Sequence, residues 1–470
     1  MTQSSLVTSN MRDKVSLFQS LAYAMPTMAV YFLYGPISIL QGIYVKYFGV
    51  SLATIATILF VARIFDAVTD PIIGYLSDRY YFLKGSRKPF VAVGGILFII
   101  SSYFLYVPGG VETLYAVDPN HNISTTYFFV WFVVFYLAWT IFEIPHLAWG
   151  GELAPDSKSK SKVFSLRIFG IQIGQLVFFA IPLLPIFENS GFTPQTLAWS
   201  VVTAGVFMVP MLYVCIHYTP NGRANHISHN SSTSKPPIRF VLSSITSNAS
   251  LLIFLLATLL IGTGVGMWFA LIFIFADSYL GLGNKLPQVY VFSFGISTLL
   301  LGIWYRIANR WGKKTVWVIG ATIMTIGMIC TAQLSLGDSH WLLLLLSMIL
   351  IYCGLGAVNI SAPSLLSDII DYGQWKFGLD LGATYFSLYT LVVKASIAIG
   401  GAFGFAIVGW YDFSPSLVSQ SARAVYGLYI AVAWIPAVLT LISIAIIILV
   451  PISIRRHAII ICRHRRSGGY

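Results

Sequence analysis

Three ionisable residues interrupt an otherwise apolar stretch of this chain. Arg63, Asp66 and Asp70 fall within Val-Ala-Arg63-Ile-Phe-Asp66-Ala-Val-Thr-Asp70-Pro. Spacings of three and four place all three on one face of a helix within two turns, so they can address one point. A charge in mid-bilayer costs roughly 2.5 to 3.5 kcal/mol on insertion scales, and such residues line water-filled paths or pair across a bundle. The chemistry this predicts is cation binding. Asp66 and Asp70 offer carboxylate oxygens, to which Thr69 or Thr140 can add a hydroxyl, and oxygen donors suit hard cations. Sodium fits such a set and lithium is not separable from it. A proton is an alternative, because two coupled acids in a desolvated site can share one.

The elements that must hold these groups are membrane helices. The 470 residues are 57% hydrophobic and 9% charged, with a mean hydropathy of +0.80, whereas soluble domains carry about 25% charged residues. Twelve apolar segments of membrane-spanning length can be counted, with approximate limits of 17–41, 52–76, 89–108, 126–148, 163–187, 196–218, 249–276, 288–307, 315–336, 341–365, 382–410 and 424–450. The longest polar stretch divides them six and six. The expected organisation is an N-terminal six-helix bundle over 1–218, a cytoplasmic linker over 219–248, a second bundle over 249–452 and a basic tail over 453–470. The first span is too long for a signal-peptide core and is expected to stay in the mature chain.

The net charge of +12 does not point to nucleic acid, since the basic residues sit in short clusters between apolar runs without a basic-aromatic face. They read as topology instead. Of 28 Lys and Arg residues, 22 lie in segments on one side, Lys158, Lys160 and Lys162 among them, and three on the other: Lys46, Lys285 and Arg423. Both termini are therefore expected in the cytoplasm, in an inner or plasma membrane whose lipid is a partner. The basic residues left inside spans are Arg63, Arg167 and Lys394; the acids there are Asp66, Asp70 and Glu143. Opposite charges around shared water offset one another, so these six predict one polar cavity between the two bundles.

At this point the motifs resemble a family. Arg63-Ile-Phe-Asp66-Ala-Val-Thr-Asp70-Pro-Ile-Ile-Gly74, then Arg87-Lys88-Pro89, Thr140-Ile-Phe-Glu143-Ile-Pro145 and Asp368-Ile-Ile-Asp371-Tyr-Gly373-Gln-Trp-Lys376 are similar to the glycoside-pentoside-hexuronide:cation symporters of the major facilitator superfamily. The resemblance covers essentially the whole chain. It implies an all-α polytopic membrane protein with twelve transmembrane helices in two pseudo-symmetric six-helix bundles, the major facilitator fold. It also implies cation-coupled symport of a small-molecule substrate, with no cofactor beyond the coupling ion. By the same likeness Asp66 and Asp70, with Thr140, hold the cation, Glu143 and Arg167 face the substrate, and Lys394 couples the two sites; the residues themselves add Thr69 to the cation set and Arg63 to the coupling charge network. Trp139, Trp149 and Thr390 complete the candidate substrate set, the two indoles as plates for a sugar ring.

The likeness has gaps. Ala29, Val30, Leu147 and Asn359 stand where galactoside-carrying members place a lysine, a sugar-binding aspartate, a stacking tryptophan and a further tryptophan. The galactoside site is thus not reproduced, and an amphipathic cargo such as a lysolipid is a second expectation. Gly74-Tyr-Leu-Ser-Asp78-Arg79 resembles the facilitator loop signature, and the segment from Gly302 to Lys314, carrying Arg306 and Arg310, is its weaker echo. Asp78, Arg79, Arg306, Arg310, Asp368 and Asp371 are the candidate gating charges, the last two in a cytoplasmic loop between the tenth and eleventh spans. An intramembrane enzyme is a competing class, but His146 beside Glu143 has no second histidine at HExxH spacing, and it is expected as a hydrogen bonder at a helix end. A channel or scaffold would not require six opposed charges in its spans. Asn122-Ile-Ser124 is a glycosylation sequon on the outer side.

Overall fold

The computed structural model describes residues 16–108, 110, 123–153, 157–221, 243, 245–335, 341–377, 382–415 and 419–451. Twelve helical spans long and apolar enough to cross a membrane occur among them. By contact the chain divides into two compact units, Met1–Val50 with Ile64–Ser231, and Ser51–Arg63 with Ser232–Tyr470.

The first unit begins with α1 (Leu17–Tyr34), whose start is set by a capping box: the Gln19 amide donates to Ser16 Oγ, and the Gln19 side chain accepts from the Ser16 amide. The expected single first span is broken in two. Pro36 has no amide to continue the ladder, the Gly35 amide closes α1 on the Tyr31 carbonyl at 3.0 Å, and α2 (Ile37–Phe48) starts afresh. α3 (Leu52–Lys84) follows, then α4 (Lys88–Tyr106), α5 (Thr125–Leu153), α6 (Ser157–Ala180) and α7 (Pro194–Tyr218). α1 packs on α6 and α7, and α4 packs on α5 and α7.

Close helix approach in this unit depends on small residues, as expected where lipid supplies no hydrophobic drive. A Cβ at Gly94 of α4 would lie 2.5 Å from the Phe142 amide nitrogen and 2.8 Å from the Ile141 carbonyl carbon, both backbone atoms of α5. Because α5 carries Thr140 and Glu143, Gly94→Val is expected to push it away and to destabilise the protein by about 1–3 kcal/mol. A thermal unfolding scan in detergent would read this as a lowered midpoint, whereas an unchanged midpoint would show that α5 can yield.

The second unit contains α8 (Ala249–Ile274), which runs into a π-turn over Phe275–Tyr279, then α9 (Leu286–Trp311), α10 (Lys313–Ala332), α11 (Trp341–Phe377) and α12 (Gly382–Trp410). It closes with α13 (Ala422–Tyr429), a π-turn over Ile430–Trp434 and α14 (Ile435–Ile448). α8 packs against α12 and α14, and α11 packs against α9 and α10. Ser51–Arg63, the start of α3, belongs here through its packing, since Leu52 and Leu59 each come within 3.6 Å of where a Cβ would stand at Gly409 and Gly401.

The radial distribution of polarity suits a hydrocarbon solvent. Leu299 is 81% exposed and Trp410 is 79% exposed. Ser20, Ser101, Ser102 and Ser443 are buried. Their hydroxyls donate to backbone carbonyls, as Ser102 does to Phe98 at 2.6 Å and Ser443 does to Ala257 at 2.8 Å.

Candidate functional site

α3 positions the acidic pair. Arg63, Asp66 and Asp70 lie on one uninterrupted helix; Asp66 is 5% exposed and Asp70 is half-buried. Pro71 follows directly and cannot donate to the Ala67 carbonyl, which leaves a further backbone oxygen on this turn without its usual helical donor. α5 faces the pair with Thr140, 1% exposed, whose hydroxyl donates to Asp70 Oδ1 at 2.9 Å. The structure therefore brings together two residues placed in one cation set 70 positions apart in the chain. The Thr69 hydroxyl turns back to its own helix and donates to the Phe65 carbonyl at 3.1 Å. Its oxygen retains a lone pair, but its proton points away from the acids.

One helical turn beyond Thr140 on α5 lies Glu143, whose carboxylate Oε1 pairs with Nη2 of Arg167 on α6. The side chains are 12% and 7% exposed. The Tyr31 hydroxyl of α1 reaches the same Oε1 at 3.4 Å. Tyr31 leads to an aromatic wall, with ring centroids 5.8 Å apart to Tyr34 and 5.3 Å from Tyr34 to Trp139. Tyr31 and Tyr34 were not legible as site residues. Their only signal is the spacing of three that puts them on one face of α1, and an apolar helix conceals which face that is.

Trp149 requires a correction. It was expected as a sugar plate, yet it is 0% exposed, its indole N–H donates to the Pro220 carbonyl at 2.9 Å, and its ring packs edge-on against Tyr23 and His146. A ring with no accessible face cannot stack on cargo, so Trp139 is the indole that accompanies Glu143. His146 is likewise not at a helix end. It is enclosed within α5, stacks on Tyr23 at 4.2 Å and is joined to it twice, with its Nε2 3.0 Å from the Tyr23 carbonyl and the Tyr23 hydroxyl donating to the His146 carbonyl at 2.8 Å. That clasp holds α1 to α5.

Asp368 and Asp371 also depart from expectation. α11 continues to Phe377, so both are helical, and Lys376 with them, rather than in a loop. Asp368 is 8% exposed and pairs with Lys313 Nζ at 2.6 Å, while that ammonium also donates to the Ser364 carbonyl at 2.9 Å. The cation that meets Asp368 is thus Lys313; Arg306 and Arg310 are exposed, as is Arg79. Asp78 lies on α3, but its side chain falls outside the described residues, as do the side chains of Lys158, Lys160 and Lys162. In the first unit the equivalent clasp uses Arg87, which donates to Glu152 Oε1 through Nε at 3.0 Å and Nη2 at 2.8 Å, and to Ser77 Oγ at 2.7 Å. Glu152 was not anticipated; an acid at the end of a span two residues before a proline-containing loop reads as solvated charge.

In the second unit Lys394 lies half-buried within α12 and Thr390, one turn earlier, is exposed. Asn122 of the sequon, most of the linker and the basic tail lie outside the described residues.

Twelve spanning helices among the described residues define an integral membrane protein, and its interior holds buried acids, a buried ion pair and an aromatic wall. The model of the MFS/sugar transport protein family matches residues 20–454, and the chain belongs to that family. Its members are transporters, not enzymes. The putative glycoside/cation symporter YagG of Escherichia coli (strain K12) is 24% identical over 406 residues, covering 84% of this chain and 83% of the relative. The glucuronide carrier protein homolog of the same organism is 24% identical over 417 residues, covering 86% of each chain. A crystal structure of a D-xylose-proton symporter matches with a TM-score of 0.64 at 15% identity, over 92% of this chain and 96% of that one, which establishes the major facilitator fold. The resemblance read from the Asp66–Pro71 and Asp368–Gly373 motifs is thereby borne out.

Proposed function

We propose that this protein carries a sugar or glycoside across the cytoplasmic membrane by alternating access, in symport with a cation, sodium being the coupling ion, and with both termini in the cytoplasm. The observation that supports this most is the arrangement on α5. Thr140 is hydrogen-bonded to Asp70, and Glu143, paired with Arg167, stands three residues on along the same helical face. A cation held by Asp66, Asp70 and Thr140 and a cargo held by Glu143 and Arg167 would thus bias one shared helix. Coupling requires that each ligand change the free energy of a common element, and α5 supplies it. The cation neutralises the acids of α3 and so releases Arg63, one turn earlier on the same helix. The relatives named for glycosides and glucuronides support the cargo class.

The test is uptake into proteoliposomes of labelled mono- and disaccharides, glucuronides and lysolipids, under an inward sodium gradient and then a proton gradient. The expected result is accumulation of a sugar or glycoside driven by sodium. Accumulation driven only by protons would replace the ion, and accumulation of lysolipid alone would replace the cargo. Movement of nothing under either gradient would overturn the symporter reading.

A further inference from the structure

The helix that carries Thr140 and Glu143 is held differently on the two sides of Pro145. On the C-terminal side α5 is tied to three other elements within two turns. His146 exchanges two hydrogen bonds with Tyr23 of α1: its Nε2 donates to the Tyr23 carbonyl at 3.0 Å, and its own carbonyl accepts from the Tyr23 hydroxyl at 2.8 Å. The phenol fills the space that a side chain at Gly150 would need, its Cζ standing 2.6 Å from where a Cβ there would lie. The Trp149 indole donates to the Pro220 carbonyl just past α7 at 2.9 Å, and Glu152 accepts from Arg87 at the head of α4 at 2.8 Å.

On the N-terminal side the ties are of another kind. Thr140 donates to Asp70, and Glu143 pairs with Arg167; these are contacts that a cation and a cargo would exchange for their own. Against α4 the helix rests on Gly94, where a Cβ would lie 2.5 Å from the Phe142 amide nitrogen, so backbone meets backbone with no side chain interlocked between them. Between the two parts stands Pro145, which has no amide to give the Ile141 carbonyl. One rung of the ladder is missing where the anchored part begins, and helices bend at such a place.

We propose that α5 is jointed at Pro145: Tyr23 and His146 pin its C-terminal part to α1, and the part carrying Thr140 and Glu143 turns about that joint as cation and cargo come and go. This rests on the reading of Thr140 and Glu143 as ligand contacts. Tyr23 and His146 are positioning residues in it. The N-terminal part turns as one piece, so a contact made at Thr140 reorients Glu143 one turn away.

The test is uptake by the full chain in proteoliposomes, under the gradient and with the member of the labelled panel that the parent accumulates, for Pro145→Ala, Pro145→Gly and Tyr23→Phe. Alanine supplies the missing amide, so Pro145→Ala is expected to melt no lower than the parent in detergent. Its maximal uptake rate should nevertheless fall about tenfold, equivalent to about 1.4 kcal/mol of barrier. The half-saturating concentrations of cargo and cation should change by less than about twofold. Glycine supplies the same amide but is a poorer helix former than alanine by about as much as one hydrogen bond is worth, so Pro145→Gly should recover most of the rate. A static kink would produce neither that split between rate and affinity nor that rescue. Tyr23→Phe keeps the ring that stacks on His146 at 4.2 Å and removes the hydroxyl tie. It is expected to lower steady-state accumulation by about threefold or more, the factor that one lost hydrogen bond makes, while downhill exchange continues. A Pro145→Ala protein as fast as the parent overturns the joint, and a Tyr23→Phe protein that accumulates as fully as the parent overturns the pin. Should Pro145→Ala fail to insert, Tyr23→Phe decides alone. Movement of no panel member by the parent overturns the symporter reading and this one with it, whereas the variant outcomes bear on α5 alone.

Discussion

Asp70→Asn is expected to abolish concentrative uptake while cargo still equilibrates across the membrane. Asparagine keeps the shape of the side chain and an oxygen that can accept from Thr140, so the 2.9 Å clasp between α3 and α5 has a substitute and insertion should be normal. What disappears is the charge. An interaction with a charged group is worth about 1.5–3 kcal/mol, which is roughly 10- to 100-fold in cation affinity. Asp66 remains and is 5% exposed, but one carboxylate gives the site half its anionic oxygens. With the proposed cation site weakened to that extent, a gradient has little bound ion through which to act on α5. The measurement is cargo accumulation under the coupling gradient beside cargo exchange with no gradient. Concentrative uptake equal to the parent would remove Asp70 from the cation site, and loss of exchange as well would show that Asp70 is needed for the transport cycle itself.

The second large effect is on stability. Glu143→Ala leaves the guanidinium of Arg167 buried without its counter-charge, and removal of one partner of a buried pair costs about 3–5 kcal/mol. With side chains 12% and 7% exposed, little water is available to take over. Arg167→Ala should be comparably damaging, because among the described residues it leaves the carboxylate of Glu143 with only the Tyr31 hydroxyl at 3.4 Å. The double variant is expected to recover much of the loss, since the uncompensated charge is what each single change creates. Thermal unfolding of the four proteins in one detergent gives the cycle. Single variants that melt with the parent would mean that the pair is solvated. No transport recovery should accompany the recovered stability if Glu143 and Arg167 hold the cargo as proposed.

The charged residues of the spans were legible because they are anomalous in an apolar setting. Asp66, Asp70, Glu143 and Arg167 stand out by type alone, and the spacing of Asp66 and Asp70 gives a helix face without any knowledge of neighbours. Thr140 was offered beside Thr69 as a hydroxyl donor and preferred to it through the likeness to a known family, and the hydrogen bond to Asp70 agrees with it. Partner choice was less legible. Lys313 rather than Arg306 or Arg310 meets Asp368, and Glu152 meets Arg87. A cluster of basic residues near an acid fixes sign but not which ammonium or guanidinium arrives, since that depends on helix length and rotation. The extension of α11 to Phe377 moved Asp368 and Asp371 from an expected loop into a helix, because polar residues on a cytoplasmic extension look the same as loop residues in a hydropathy profile.

By itself the chain's sequence determined that this is a membrane protein of twelve spans and which few ionisable groups lie within them, since both follow from local hydropathy and the cost of charge in lipid. Tertiary structure alone decided that Tyr31, Tyr34 and Trp139 stand with Glu143 while Trp149 is sealed against Tyr23 and His146. The physical reason is the solvent. In water a helix shows its inner face as an apolar stripe. In lipid the inner and outer faces are equally apolar, so aromatic residues carry no mark of the side they occupy until neighbouring helices pack against them.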